Sequence, residues 1–482
     1  MSYIKIHQEK ISDREAAKAL CPFGAIVENG AGELEIGAGC RMCRLCIRKG
    51  GGAFEFVDDA APGVDKSKWR GVAVVAEVGP DGALYLFGSR DECTNWYCSC
   101  GNDLLSTRDM VSWELKKDIL RSRDPGDEVD GTDTVLFAPD GIFVDGKWHL
   151  MFCTPDTNYV EGVACADSPE GPFGNAKKIP QCTQIDPSIW QDADGTLYYT
   201  WGQFSMKMAK FLPGMDGIDE STLVDGVIDE QRHYFHEGSQ IFRRNGIWYL
   251  AFADISRRGR PTSIGYATAD KPFGPYTYRG VIIDNYGCDP EVWNNHGSVV
   301  EFAGRWYVFY HRSTNGSVTW RKACVEPIEF DENGLIAEVE MTSNGAGAPL
   351  DPFAFTEGRL AATMGGNARI ETFPGGEERL ARIMDGDKAT WRYFAFGEAP
   401  SALKLAVVPR AGGEIALVDG CGGEYARATV AGGDGAGIAE TVLELKRPFP
   451  AGRQAVRLEF AGEKGKELFD IEGFAFTRQG AN

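Results

Sequence analysis

The chain of 482 residues is 43% apolar and 25% charged, with 60 glycines, 11% aromatics and a net charge of −20. This is globular material with length for about three domains, and its glycine and aromatic content favours turn-rich β architecture over helical bundles. The acidic balance, with no basic stripe, excludes nucleic acid and anionic membrane as partners and suits a neutral carbohydrate.

No run approaches 18 apolar residues, so no membrane span is expected. The first twenty residues alternate charge and lack the apolar centre of a secretory leader. The 13 cysteines are an odd count, mostly scattered singly, which points to a reducing compartment and not to a disulfide framework. A cytoplasmic protein is expected.

The predicted elements begin with a strand over 3–7, a helix over 13–20, the Cys21-Pro22 turn, a strand pair within 25–36 and a helix opened by Cys40, Cys43 and Cys46. Three thiolates at that pitch, completed by a distant Cys-Pro, fit the ligand set of one 4Fe–4S cluster. Zinc, the alternative, more often takes two separate Cys-x-x-Cys pairs. Cys93, Cys98 and Cys100 lack metal spacing and read as buried thiols. The stretches IKIHQEKISDREAAKALCPFGAI, CRMCRLCIRKG and VDKSKWRGVAVVAE resemble the ferredoxin-type extension and first strand of electron-transfer flavoprotein α subunits. The resemblance covers 1–78, a small α+β ferredoxin-like domain, and implies electron exchange with a redox partner. The flavin-binding domain of that family does not follow.

From 79 to 343 one pattern recurs five times, a glycine turn followed by a strand of alternating aromatics: PDGALYLFGS, VDGKWHLMFC, DADGTLYYTWG, RRNGIWYLAFAD and FAGRWYVFYHRS. The glycines are Gly82, Gly146, Gly195, Gly246 and Gly304, spaced 64, 49, 51 and 58 apart. A hairpin repeated at this period predicts the blades of a five-bladed β-propeller. Polar residues just upstream of each hairpin should then converge on the central channel. They are Asp140, Asp186, Glu237 and His296. One such residue is most simply a turn or loop residue; four in phase with the blades are not. Inverting glycoside hydrolysis needs an acid and a base roughly 6.5–9.5 Å apart, a distance a funnel can set.

The motifs FAPDGIFVDGKWHL, IDPSIWQDADGTLYYTWGQ, HEGSQIFRRNGIWYLAFAD and CDPEVWNNHGSVVEFAGRWYVFYHRS resemble glycoside hydrolase family 43, inverting five-bladed propellers that act on arabinosides, xylosides and some galactosides. The resemblance implies Glu237 as general acid and Asp186 as the residue that tunes and orients it. It implies substrate contacts from Asp140, His296 and Trp201, with His296 touching a cation, often calcium, through water. An oligosaccharide or glycoside is the implied substrate. The family's general base is an Asp about nine residues before the first hairpin glycine, where this chain has Ala73. Glu77, Asp81 or Asp91 are the candidate replacements, and loss of a base should cost about 10²–10⁴ in rate.

Residues 350–482 carry short alternating strands with glycine turns and predict a β-sandwich. Its last strands resemble family 6 carbohydrate-binding modules, with Trp391, Tyr393 and Phe394 as sugar-stacking candidates and the core as their alternative place. The expected fold is mostly β: propeller, sandwich and the small N-terminal domain. The expected function is glycoside hydrolysis, impaired by the missing base. A sugar-binding protein without turnover and an electron carrier with a passenger propeller stand as alternatives.

Overall fold

The five glycine-hinged repeats fold as hairpins, and the hinge glycines all have φ between +74° and +87°. This left-handed backbone is open to glycine without steric cost, and a two-strand turn of the right twist needs it. The computed structural model describes residues 2–21, 24–37, 46, 49–58, 71–92, 97–123, 126–289, 292–373 and 376–478. It divides into two compact units, Lys68–Gly347 and a second made of Met1–Ser67 with Ala348–Asn482.

In the first unit each hairpin forms the inner pair of an antiparallel sheet. The pairs are Gly71–Val78 with Leu84–Arg90, Phe137–Val144 with Lys147–Cys153, Ser188–Gln191 with Leu197–Trp201, Phe235–Arg244 with Ile247–Asp254, and Ser298–Phe302 with Arg305–Thr314. Four sheets continue outward through two more strands; the fifth carries one, Ser317–Ile328. We number the sheets as blades one to five.

Both faces of each blade are apolar because each is sandwiched between neighbours. Phe87 and Leu104 pack with Trp148 and Phe152 between blades one and two. Met151 meets Tyr199 and Trp201 between two and three, Tyr198 and Met208 meet Trp248 and Phe252 between three and four, and Tyr249 and Tyr266 meet Val308 and Tyr310 between four and five. Ala76, Leu84 and Leu86 pack on Phe302, Tyr307 and Phe309 of blade five. Each fully buried Leu or Phe is worth about 1.5–3 kcal/mol, so this last seam closes the ring by apolar contact. The result is a five-bladed propeller.

Polar staples join the inner strands. Asp140 accepts the Ile189 N–H at 2.8 Å, and the Ser239 hydroxyl donates to Thr200 Oγ1 at 3.0 Å. Gln240 accepts from Val299 N at 2.7 Å and donates to its carbonyl at 3.1 Å, and Ala76 N donates to Ser298 Oγ at 3.1 Å. The strand Gly71–Val78, grouped on sequence with the N-terminal segment, is thus the innermost strand of blade one.

In the second unit, Ser2–Ile6 pairs antiparallel with Phe54–Asp58 and Ile26–Glu28 with Leu34–Ile36. The helix Arg14–Ala19 is capped by Asp13, which accepts the Ala16 N–H at 3.0 Å. The strands between Thr356 and Arg478 form two antiparallel sheets facing one another across an apolar core. Trp391 and Phe394 are fully buried in that core, so neither offers a face to sugar. Tyr393 lies under the Arg453 guanidinium, 3.8 Å from ring centroid to carbon.

Candidate active site

Inner strands begin at one end of the ring, and the residues at those beginnings meet near its axis. Asp186 precedes the inner strand of blade three in a left-handed turn, φ +61°. Its N–H donates to Cys153 Sγ of blade two at 3.4 Å. Burial, and next the charge of Glu237, push its carboxyl well above the usual carboxylate range; Arg321 and the Gly238 N–H pull the other way. Two carboxyls that close cannot both ionise freely. Asp186 therefore holds a proton more readily than an ordinary aspartate.

Glu237 stands on the first turn of the blade-four strand, where the ladder with Ile247–Asp254 is interrupted on both sides of it. Such a bulge re-aims a side chain. Its side chain is 21% exposed. Gln203 Nε2 donates to Glu237 Oε2 at 2.7 Å. His236 Nε2 lies 4.0 Å from the same oxygen, and its Nδ1 is 2.8 Å from Glu230 Oε1.

His296, ahead of the blade-five strand, has Nδ1 4.0 Å from Asp186 Oδ2. Burial and then Arg321 push its pKa down to about 3, so the imidazole is neutral. Gly238 is needed beside it: φ is +64°, and a Cβ there would lie 2.7 Å from the His296 ring.

Arg321 organises the blade-one side. Its Nε donates to Asp91 Oδ2 at 2.9 Å and an Nη donates to Oδ1 at 2.7 Å, while its N–H adds a 3.0 Å bond. Cys98 N also donates to Asp91 at 3.0 Å. The guanidinium lies 4.8 Å from the Tyr97 ring centroid, and the Tyr97 hydroxyl accepts from Asn294 at 3.0 Å.

Several sequence expectations are corrected here. Asp140 is 1% exposed, one oxygen spent on Ile189 and the other enclosed without a partner. It joins blades two and three and is closed to substrate; burial lifts its carboxyl to about 7. Trp201 is also 1% exposed, in the core between those blades, because its side of the strand faces the next sheet. Asp81 sits at the far end of the blade-one hairpin, bonded to Arg108 and Tyr85. Asp91 is consumed by Arg321. Glu77 faces Asp140, and burial, then that neighbour's charge, raise its carboxyl to about 8. The side chain of Ala73 is outside the described residues, although its backbone pairs with Gly88.

Among the described residues no three His, Cys, Asp or Glu side chains stand where they could hold a metal ion. The Arg321 charge acts on both His296 and its neighbour His311, which disfavours a cation there. At the N-terminus, Cys40 and Cys43 lie outside the described residues. Cys46 is buried and Cys21 packs on the same small core with Ile4, Ile26 and Phe54. Cys21 Sγ accepts the Ala25 N–H at 3.3 Å.

Gln203, His236 and the Arg321–Asp91–Tyr97 group were not found from the sequence. Gln203 does sit in the quoted motif TWGQ and His236 in HEG, but nothing local in either marks the contact to Glu237.

A propeller with paired carboxylates at the starts of blades three and four defines a glycoside hydrolase site. The chain belongs to glycosyl hydrolases family 43, whose model matches residues 78–336. It is 29% identical over 340 residues to a xylosidase/arabinosidase of Thermoclostridium stercorarium, covering 61% of this chain and 66% of that one, just under two thirds of the relative. The GH43_1 enzyme from Xanthomonas citri, solved with xylotriose, superposes with a TM-score of 0.50 at 26% identity, over 58% of this chain and 93% of that one. A separate match of 82 residues, 40% identical, links 16% of this chain to 19% of the lactate dehydrogenase (NAD(+),ferredoxin) subunit LctC of Acetobacterium woodii.

Proposed function

We propose that the protein hydrolyses terminal xylosides or arabinosides of oligosaccharides with inversion at the anomeric carbon. The reading is carried by the proximity of Asp186 and Glu237, with Gln203 fixing Glu237. The xylosidase/arabinosidase relative and the xylotriose-bound Xanthomonas enzyme support the sugar class. Glu237 gives its proton to the leaving-group oxygen as the glycosidic bond breaks. Asp186 stands beside it and resists ionising. Water attacks the opposite face of the sugar and its proton passes to a base.

That base is the weak part. Of the three blade-one candidates, Asp81 and Asp91 are held by arginines. Glu77, with a carboxyl raised to about 8, is protonated in neutral solution. Turnover is therefore slow. The test is hydrolysis of xylobiose and nitrophenyl arabinosides, with the first-formed anomer read by NMR. A Glu237→Gln variant that keeps the wild-type rate, or product of retained configuration, contradicts the proposal.

A second reading concerns the N-terminal segment, favoured by Cys21 and Cys46 on one core and the N–H bond to Cys21. Cys21, Cys40, Cys43 and Cys46 would hold a 4Fe–4S cluster, which supplies one-electron transfer to a redox partner when bound. Anaerobically purified protein should be brown with about four irons per chain. Colourless protein with one zinc per chain contradicts it.

A further inference from the structure

Cys153 ends the blade-two strand Lys147–Cys153, at an irregularity in its ladder with Phe137–Val144. It is fully buried in a small apolar group with Val75 of blade one and Ala138, on which Ile185 packs. Buried cysteines commonly serve as small apolar residues. This one also accepts a hydrogen bond from across the blade boundary, from the Asp186 N–H at 3.4 Å. Burial, then the charge of Asp186, hold the thiol well above its usual range. The acceptor is therefore a neutral sulfur, which adds no charge beside the carboxyl pair.

The bond falls on a residue that needs it. Asp186 has φ +61°, a left-handed backbone that is uncommon outside glycine and persists where the surroundings over-determine it. Three other bonds restrain the turn. Gly202 N–H donates to the Ile185 carbonyl at 2.8 Å, and Asp140 accepts the Ile189 N–H at 2.8 Å. Gly238 N–H donates to the Asp186 carboxyl. The first two act on neighbouring residues and the third on the side chain, whereas Cys153 holds the N–H of Asp186 itself. A buried N–H left without a partner is costly. Without the sulfur the turn would relax toward another acceptor and carry the carboxyl with it.

We propose that Cys153 is a positioning residue: its sulfur fixes the turn that aims the Asp186 carboxyl at Glu237, and so governs proton delivery to the leaving-group oxygen. This rests on Glu237 acting as the acid with Asp186 beside it.

The experiment compares the full-length wild type with Cys153→Val, Cys153→Ala and Cys153→Ser on two substrates. The leaving oxygen of xylobiose needs a proton; that of dinitrophenyl xyloside does not. The ratio of the two kcat values, xylobiose over dinitrophenyl xyloside, is taken within one preparation, so it is independent of how much of a variant folds. Cys153→Val and Cys153→Ala, which remove the acceptor, should lower the ratio about tenfold. Cys153→Ser, which keeps an acceptor, should recover most of that loss. A wild-type ratio in Cys153→Val and Cys153→Ala, or no recovery in Cys153→Ser, overturns the positioning role and leaves that of Glu237 intact. If Glu237→Gln also leaves the ratio unchanged, or the wild type hydrolyses neither substrate, the hydrolase reading fails and the role of Cys153 falls with it.

Discussion

Blade four and blade one follow the same hairpin rule yet hold their carboxylates in opposite ways. In blade four, Glu237 stands at a bulge at the start of the inner strand, reached by solvent, with an amide donor at 2.7 Å. In blade one, the inner strand carries Glu77 farther down, against buried Asp140, and Asp91 is locked by Arg321. The propeller needs only an apolar strand to close its ring, and Gly71–Val78 supplies one through Ala76. Catalysis needs a carboxylate at one position of that strand. Architecture and chemistry are thus separable within a single blade, as expected when function lives in sites carried by a tolerant fold.

The largest effect expected is on the acid side. Glu237→Gln should lower turnover by about 10²–10⁴, with Tm close to wild type because the residue is not in the core. A steady-state assay on nitrophenyl xylosides checks it; retained activity would place the acid elsewhere and erase the contrast between the blades.

The second test is on the blade-one side and reads stability. Asp91→Asn leaves Arg321 buried with the charge of its carboxylate partner gone. Breaking a buried pair costs about 3–5 kcal/mol, and denaturant unfolding should show it. A change within experimental scatter would mean that Asp91 is free to serve chemistry after all.

The smallest effect is the pH dependence of Glu77. Its folded pKa, about 8, lies above its ordinary value of 4.5. The stability linked to it is present below 4.5 and is lost as pH rises through about 8. Glu77→Gln should flatten that loss over this window, read as Tm against pH. An identical slope in both proteins would show that Glu77 does not titrate against Asp140.

What the sequence made legible was what is local. Hinge glycines announce themselves because only glycine takes their φ cheaply, and Asp186 and Glu237, each nine residues before its hinge glycine, share the phase of the blade. Depth is not local. Asp140 stands six residues before its hinge glycine, where Asp186 and Glu237 stand nine before theirs, and it is buried. Trp201, Trp391 and Phe394 misled because alternating aromatics mark a strand face without saying whether that face meets sugar or another sheet. The Arg321–Asp91 pair joins residues 230 positions apart, and Gln203 reaches Glu237 across a blade boundary, so both needed the fold.

In the proposed reading Glu237 is the acid, and among the described blade-one carboxylates Asp81 and Asp91 are held by arginines. Azide tests that reading most directly, because an anion attacks without having to lose a proton. Added azide at neutral pH should raise the turnover of nitrophenyl xylosides and yield the glycosyl azide of inverted configuration, and Ala73→Asp should raise hydrolysis without azide. Fast hydrolysis by the native chain, unaffected by azide, would show that blade one still carries a working base.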